Sequence, residues 1–192
     1  MKTVLLLVSQ FLITGCAAVL PISVATTSVV LSDQRSVGHM IDDKLIASKI
    51  KTELSKYSNA NMFLSVGVTV LEGRVLLTGS VISQSCIDEA IKIAWSIKGV
   101  REVMNELVVE LKHIQDSAND TLIESAVNSK LLLEKNLMST NYKVSVNNGN
   151  VFILGIAQSE NEREKALEIA KIVKGVKRVV SYIILKNDPR RG

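Results

Sequence analysis

The sequence predicts an α+β fold in which one α-β-β-α-β unit is written twice in tandem, each copy a three-stranded mixed sheet with two helices on one face. Three observations carry this. The segment Val68-Thr69-Val70-Leu71-Glu72-Gly73-Arg74-Val75 stands against Val144-Ser145-Val146-Asn147-Asn148-Gly149-Asn150-Val151 at a constant offset of 76 residues, and Lys98-Gly99-Val100 against Lys174-Gly175-Val176 keeps the same offset. A self-match at fixed period marks a duplicated structural unit. Within each copy the apolar period switches from helical to alternating and back. Both proline residues, Pro21 and Pro189, lie near the ends, so none interrupts regular structure between them.

Each element has its own signature. Ile46, Ile50 and Leu54, like Ile123, Val127 and Leu131, recur every four residues and predict the first helix of each copy. Asp43 and Asp120 are its expected N-caps, and Thr121 with Glu124 has capping-box spacing. Val66, Val68 and Val70 alternate as a strand, and Asn148-Gly149 is a stronger hairpin pair than Glu72-Gly73. The second strand runs Val75-Leu77 or Val151-Ile153, with Gly79 or Gly155 as its expected end. Ala90 and Ala94, or Ala166 and Ala170, mark the second helix. Ser159 and Glu162 form its capping box in copy two, and Gly99 or Gly175 is its expected stop. Val103 and Leu107, or Val179 and Ile183, give the last strand.

The N-terminus reads as an export signal. Lys2, an apolar stretch through Ile13 and then Ile13-Thr14-Gly15-Cys16 follow the charged, apolar and small-residue order of a secretory leader. Ending on a cysteine, the pattern resembles the bacterial lipobox, which implies removal of residues 1–15 and acylation of Cys16. Two or three acyl chains on one residue exceed what stable anchoring needs. Ala17 after the cysteine implies, by the rule for such leaders, forwarding to the outer membrane. The segments expected beyond the leader are a lipidated tether over 16–41, the first repeat over 42–111, a linker over 112–118, the second repeat over 119–186 and a basic tail over 187–192.

With both copies in view, the chain resembles tandem BON-domain outer-membrane lipoproteins. The resemblance rests on the hairpin glycines, the glycine after the second strand, the Gly-Val after the second helix, Asp42-Asp43, Asn119-Asp120-Thr121, Val151-Phe152 and Gly175-Val176-Lys177-Arg178-Val179. It implies a lipid-anchored protein facing the periplasm that binds phospholipid and supports envelope integrity and cell division. Relatives can carry an aromatic residue where this chain has Leu122, so its interfacial anchoring is expected to be weaker.

Enzyme chemistry finds no support. HExxH, GxSxG and GxxxxGK[ST] are absent, and His39 and His113 have no partner at useful spacing, so no catalytic residue, metal or cofactor is expected. Cys86, at a helix start, reads as a half-exposed, inert thiol. A pI near 9.1 raises nucleic acid as a ligand. The export signal and an aromatic content of 4% set it aside.

The two copies differ where function is sought. Residues 42–111 carry 8 basic and 9 acidic side chains, a net of −1, whereas residues 112–192 carry 13 and 9, a net of +4. Copy two holds Lys171, Lys174, Lys177, Arg178, Lys186, Arg190 and Arg191, a charge that suits anionic lipid. Beside its core stripe, the first helix of copy two carries Leu122, Ala126, Ser129 and Leu133, where copy one has Leu45, Lys49, Thr52 and Lys56. Leu132 replaces Ser55. The expected lipid-binding set is Leu122, Ala126, Val127, Lys130, Leu132 and Leu133, meeting an anionic phospholipid membrane. The same apolar helix equally suits a place between the two domains, or a periplasmic adaptor that docks envelope proteins.

Overall fold

The computed structural model describes residues 37–56, 66–110 and 114–191. The leader, Cys16 and most of the tether therefore lie outside the described residues. Copy one contains α1 (Val37–Ser55), β1 (Gly67–Leu71), β2 (Arg74–Val81), α2 (Gln84–Ser96) and β3 (Glu102–Val109). Copy two contains α3 (Ile114–Leu133), a short 3-10 turn (Ser139–Asn141), β4 (Tyr142–Asn147), β5 (Asn150–Ala157), α4 (Glu160–Lys171) and β6 (Arg178–Leu185). In each sheet the second strand is central, antiparallel to the first and parallel to the third. The parallel pair needs a crossover, which α2 and α4 supply. Ile46, Ile50, Val68, Val75 and Leu77 share one core with Ala90 and Ala94, so both helices cover one face of the sheet. Ile123, Val127, Val144, Ile153 and Ala170 repeat the arrangement in copy two.

Several expected boundaries shift. Gly79 and Gly155 do not end their strands; β2 and β5 run through them. At Gly155 the reason is space, because a Cβ would stand 2.6 Å from the Tyr142 ring. The second helices stop at Ser96 and Lys171, ahead of Gly99 and Gly175. α1 begins at Val37, inside the expected tether, and α3 at Ile114, inside the expected linker.

Asp43 and Asp120 accordingly sit inside their helices and cap neither. Each instead clamps the hairpin of its own sheet. The Asp43 carboxylate accepts from the backbone N–H of Glu72 at 2.8 Å and of Gly73 at 2.9 Å. Asp120 accepts from Asn148 and Gly149, both at 2.8 Å. Those N–H groups lie in the turn, outside the ladder, and would otherwise be buried unpaired. Thr121 and Glu124 lie within α3 and form no capping box. Half of the box at Ser159 is present: its Oγ accepts from Glu162 N–H at 3.3 Å, while the Glu162 carboxylate takes the N–H of Gln158, one residue before the cap, at 2.7 Å. Cys86 is buried, with its sulfur 3.0 Å from Ser83 Oγ, not half-exposed.

The sheet faces turned away from the helices pack on each other. Leu71, Leu76 and Met104 of copy one meet Phe152, Leu154, Ile156 and Ile184 of copy two in a third core. The result is four layers, helix–sheet–sheet–helix, with the two helix layers on opposite outer faces. Polar contacts edge this core. Thr78 and Ser145 hydroxyls lie 2.7 Å apart, and Arg191 donates to both carboxylate oxygens of Glu72 at 2.7 and 2.9 Å. Arg178 and Arg190 face Glu106 and Glu102 at 4.0 Å. Three of the basic residues assigned to a lipid surface from sequence therefore pair with carboxylates of copy one.

Tyr182 donates to Glu106 across the same interface. Burial first, then that hydrogen bond, push its phenol up to about 12. A raised folded-state pKa stabilises fully below the unfolded value, about 10 for tyrosine, and the contribution fades as pH rises through 12. Denaturation at stepped pH should show stability falling between those limits, with a shallower fall in Tyr182→Phe. An identical slope in the variant would refute the contribution of this phenol.

Candidate functional site

The outer face of α3 carries the surplus of leucines. Leu122 is 69% exposed, Leu132 71% and Leu133 79%. The domain interface is built from sheets, so these side chains are not buried between the copies. Val127 is different: at 0% exposure it belongs to the core of copy two and is removed from the candidate set. A four-residue step from Ile123 places it on the core stripe. Ala126 is half-buried at the edge of that core, and Lys130 is exposed.

Beside the leucines lies a groove of about 880 Å³. α3 forms one wall with Leu122, Ala126 and Lys130. The Asn148-Gly149 turn closes one end, and the α4–β6 connection, Val173 to Lys177, forms the other wall. The φ angles of 52° at Asn148 and 76° at Gly149 identify a type I′ turn. The Asp120 clamp fixes that turn against the helix. Sequence reasoning found the α3 wall but missed Lys174 and Lys177 as its partners across the groove.

Copy one has the equivalent groove, at about 400 Å³. Lys49 fills the place of Ala126, and Arg101 that of Lys177. Arg101 folds inward, its Nε donating to the Glu72 carbonyl at 2.8 Å. Asp42 and Glu72 line this groove where copy two has Asn119 and Asn148. Copy two thus exchanges two carboxylates for neutral amides, while each groove is lined by three basic side chains: Lys130, Lys174 and Lys177 in copy two, Lys49, Lys98 and Arg101 in copy one. Its remaining acidic groups are engaged: Asp120 in the turn, and Glu110 as acceptor from the Asn148 side-chain amide. The arrangement can hold an anion beside apolar surface. Among the described residues no three metal-ligating side chains converge, and no helix is long and apolar enough to cross a membrane.

Comparison with known proteins agrees with the architecture. The family model of the BON domain matches residues 42–110 and again 119–187. An uncharacterized protein of Anaplasma centrale is 38% identical over 153 residues, covering 79% of this chain and 99% of that one. The outer membrane lipoprotein DolP of Haemophilus influenzae is 31% identical over 180 residues, 93% of each chain. Osmotically-inducible protein Y of Escherichia coli is 32% identical over 165 residues, covering 82% of this chain and 76% of that one. With two complete matches, a duplicated α-β-β-α-β fold and relatives alike over most of their length, the chain belongs to the BON-domain family.

Proposed function

We propose that the protein is a non-enzymatic outer-membrane lipoprotein, acylated on Cys16 and facing the periplasm, that binds anionic phospholipid through its second BON domain and supports envelope integrity and division. One observation carries the lipid reading: in copy two the exposed Leu122, Leu132 and Leu133 stand beside a lysine-lined groove of about 880 Å³, whereas copy one has Ser55 and Lys56 in place of the last two leucines and a groove of about 400 Å³. Likeness to a lipoprotein over 93% of the chain supports the anchor. Apolar side chains leaving water at roughly 25 cal/mol per Å² give about 1–2 kcal/mol for each inserted leucine. Lysines near an anionic surface add up to about 1 kcal/mol each, reduced by salt.

Flotation of residues 33–192 with anionic vesicles tests this. Leu132→Glu should abolish binding while leaving the melting temperature unchanged, because Leu132 has no place in the core. Ser55→Glu, its counterpart on α1, should have no effect. Vesicle binding retained by a folded Leu132→Glu protein would refute the reading.

A further inference from the structure

We infer that the groove of copy two is a headgroup pocket that takes the phosphodiester of one anionic phospholipid, with the acyl chains leaving along the leucine stripe. The inference rests on the membrane reading above and adds to it a discrete binding site. An extended lipid surface needs only an exposed helix face, but this groove is walled on both sides. Its volume falls within the roughly 300–1,000 Å³ of small-molecule pockets. Lys130 stands on one wall, with Lys174 and Lys177 on the other. The Asp120 carboxylate in its floor is already shared between two turn N–H groups, so it offers a phosphate less repulsion than a free carboxylate would. Leu122 belongs both to the groove and to the exposed stripe that continues to Leu133, one helical face at a spacing of eleven residues. A ligand with an anionic head and an apolar tail matches that continuity; a free anion uses only half of it. Copy one serves as an internal control. There the same backbone carries Asp42 and an Arg191-paired Glu72, Lys49 occupies the space of Ala126 beside Lys98 and an inward-folded Arg101, and the groove has less than half the volume.

The full chain held in phosphatidylcholine nanodiscs by its own N-terminus provides the test. Amide NMR signals of Gly149 and Gly175, which line the groove, are followed while water-soluble dibutanoyl phosphatidylglycerol is added. They should shift saturably, and Lys174→Gln/Lys177→Gln should weaken the binding at least tenfold with an unchanged melting temperature. Inorganic phosphate should bind at least tenfold more weakly than the lipid. Ser55→Glu, which touches neither the groove nor the leucine stripe, should leave this titration intact. The titration reads a soluble lipid at the groove and the flotation reads vesicles, so failure of the pocket is separated from failure of the membrane reading. Signals that do not saturate, a double variant that binds as the wild type does, or phosphate binding equal to that of the lipid would each overturn the headgroup pocket.

Discussion

Glu102→Ala is expected to lower the free energy of unfolding by about 3 kcal/mol, at the lower end of the range for breaking a buried ion pair. The reason is Arg74, whose side chain is only 2% exposed between the two sheets. Its Nε donates to Glu102 Oε2 at 2.6 Å, one Nη to the Tyr182 carbonyl at 3.1 Å, and the other to the Met104 sulfur at 3.7 Å. Only Glu102 supplies a formal countercharge among these contacts. Glu102 itself is about one-third exposed, so water partly solvates the site and keeps the loss from the upper end. Removing both charges should be far milder: Arg74→Met/Glu102→Leu should recover most of the lost stability, since apolar replacement of a buried pair is often neutral. Urea denaturation of the two variants measures both effects. A loss below about 1 kcal/mol in Glu102→Ala would show that the guanidinium finds water despite its burial.

Gly73→Val should destabilise copy one by about 3 kcal/mol or more, and by more than Gly149→Val destabilises copy two. Both glycines hold positive φ, 71° and 76°, where a β-branched residue carries roughly 1–3 kcal/mol of backbone strain. Their surroundings differ. A Cβ on Gly73 would lie 2.5 Å from the Gly99 carbonyl oxygen, whereas on Gly149 the nearest atom, the Gly175 carbonyl oxygen, is at 3.0 Å. A backbone atom cannot swing aside as a side-chain end can, so the tighter site yields less. Differential scanning calorimetry should rank the two variants in that order. Equal losses would show that φ strain alone sets the effect.

Much of this was legible in the residues. The offset of 76 and the switching apolar period fixed element order, sheet composition and both hairpins. The sheet-to-sheet interface was not read, although a signal existed. Val151, Phe152, Ile153 and Leu154 are apolar at odd and even positions alike, which marks a strand buried on both faces. Copy one hides the same fact, because its inter-sheet positions include Arg74 and Thr78. Asp43 and Asp120 read as caps because a local pattern reports on neighbours in sequence, while their true partners lie 28 to 30 residues away. Net charge misled for a similar reason. Counting Arg178, Arg190 and Arg191 as free ignored Glu106, Glu102 and Glu72 of the other copy. The groove itself was encoded in the changes Asp42 to Asn119 and Glu72 to Asn148, which matter only once folding brings them to one cleft.

Stacking the sheets back to back leaves α1 and α3 on opposite sides of the body, separated by roughly 30 Å of two sheets and their flanking helices. On the proposed reading, in which α3 rests on a membrane and Cys16 is acylated, the chain between Cys16 and the start of α1 must span that height. The twenty residues 17–36 can reach at most about 70 Å when extended. On that reading the proposed anchor and groove engage one bilayer together, and the second attachment becomes intramolecular. A tether of that length sets a local lipid concentration on the order of millimolar. The groove then needs only weak intrinsic affinity to stay occupied, and small changes in lipid charge or salt can release it while the protein remains attached.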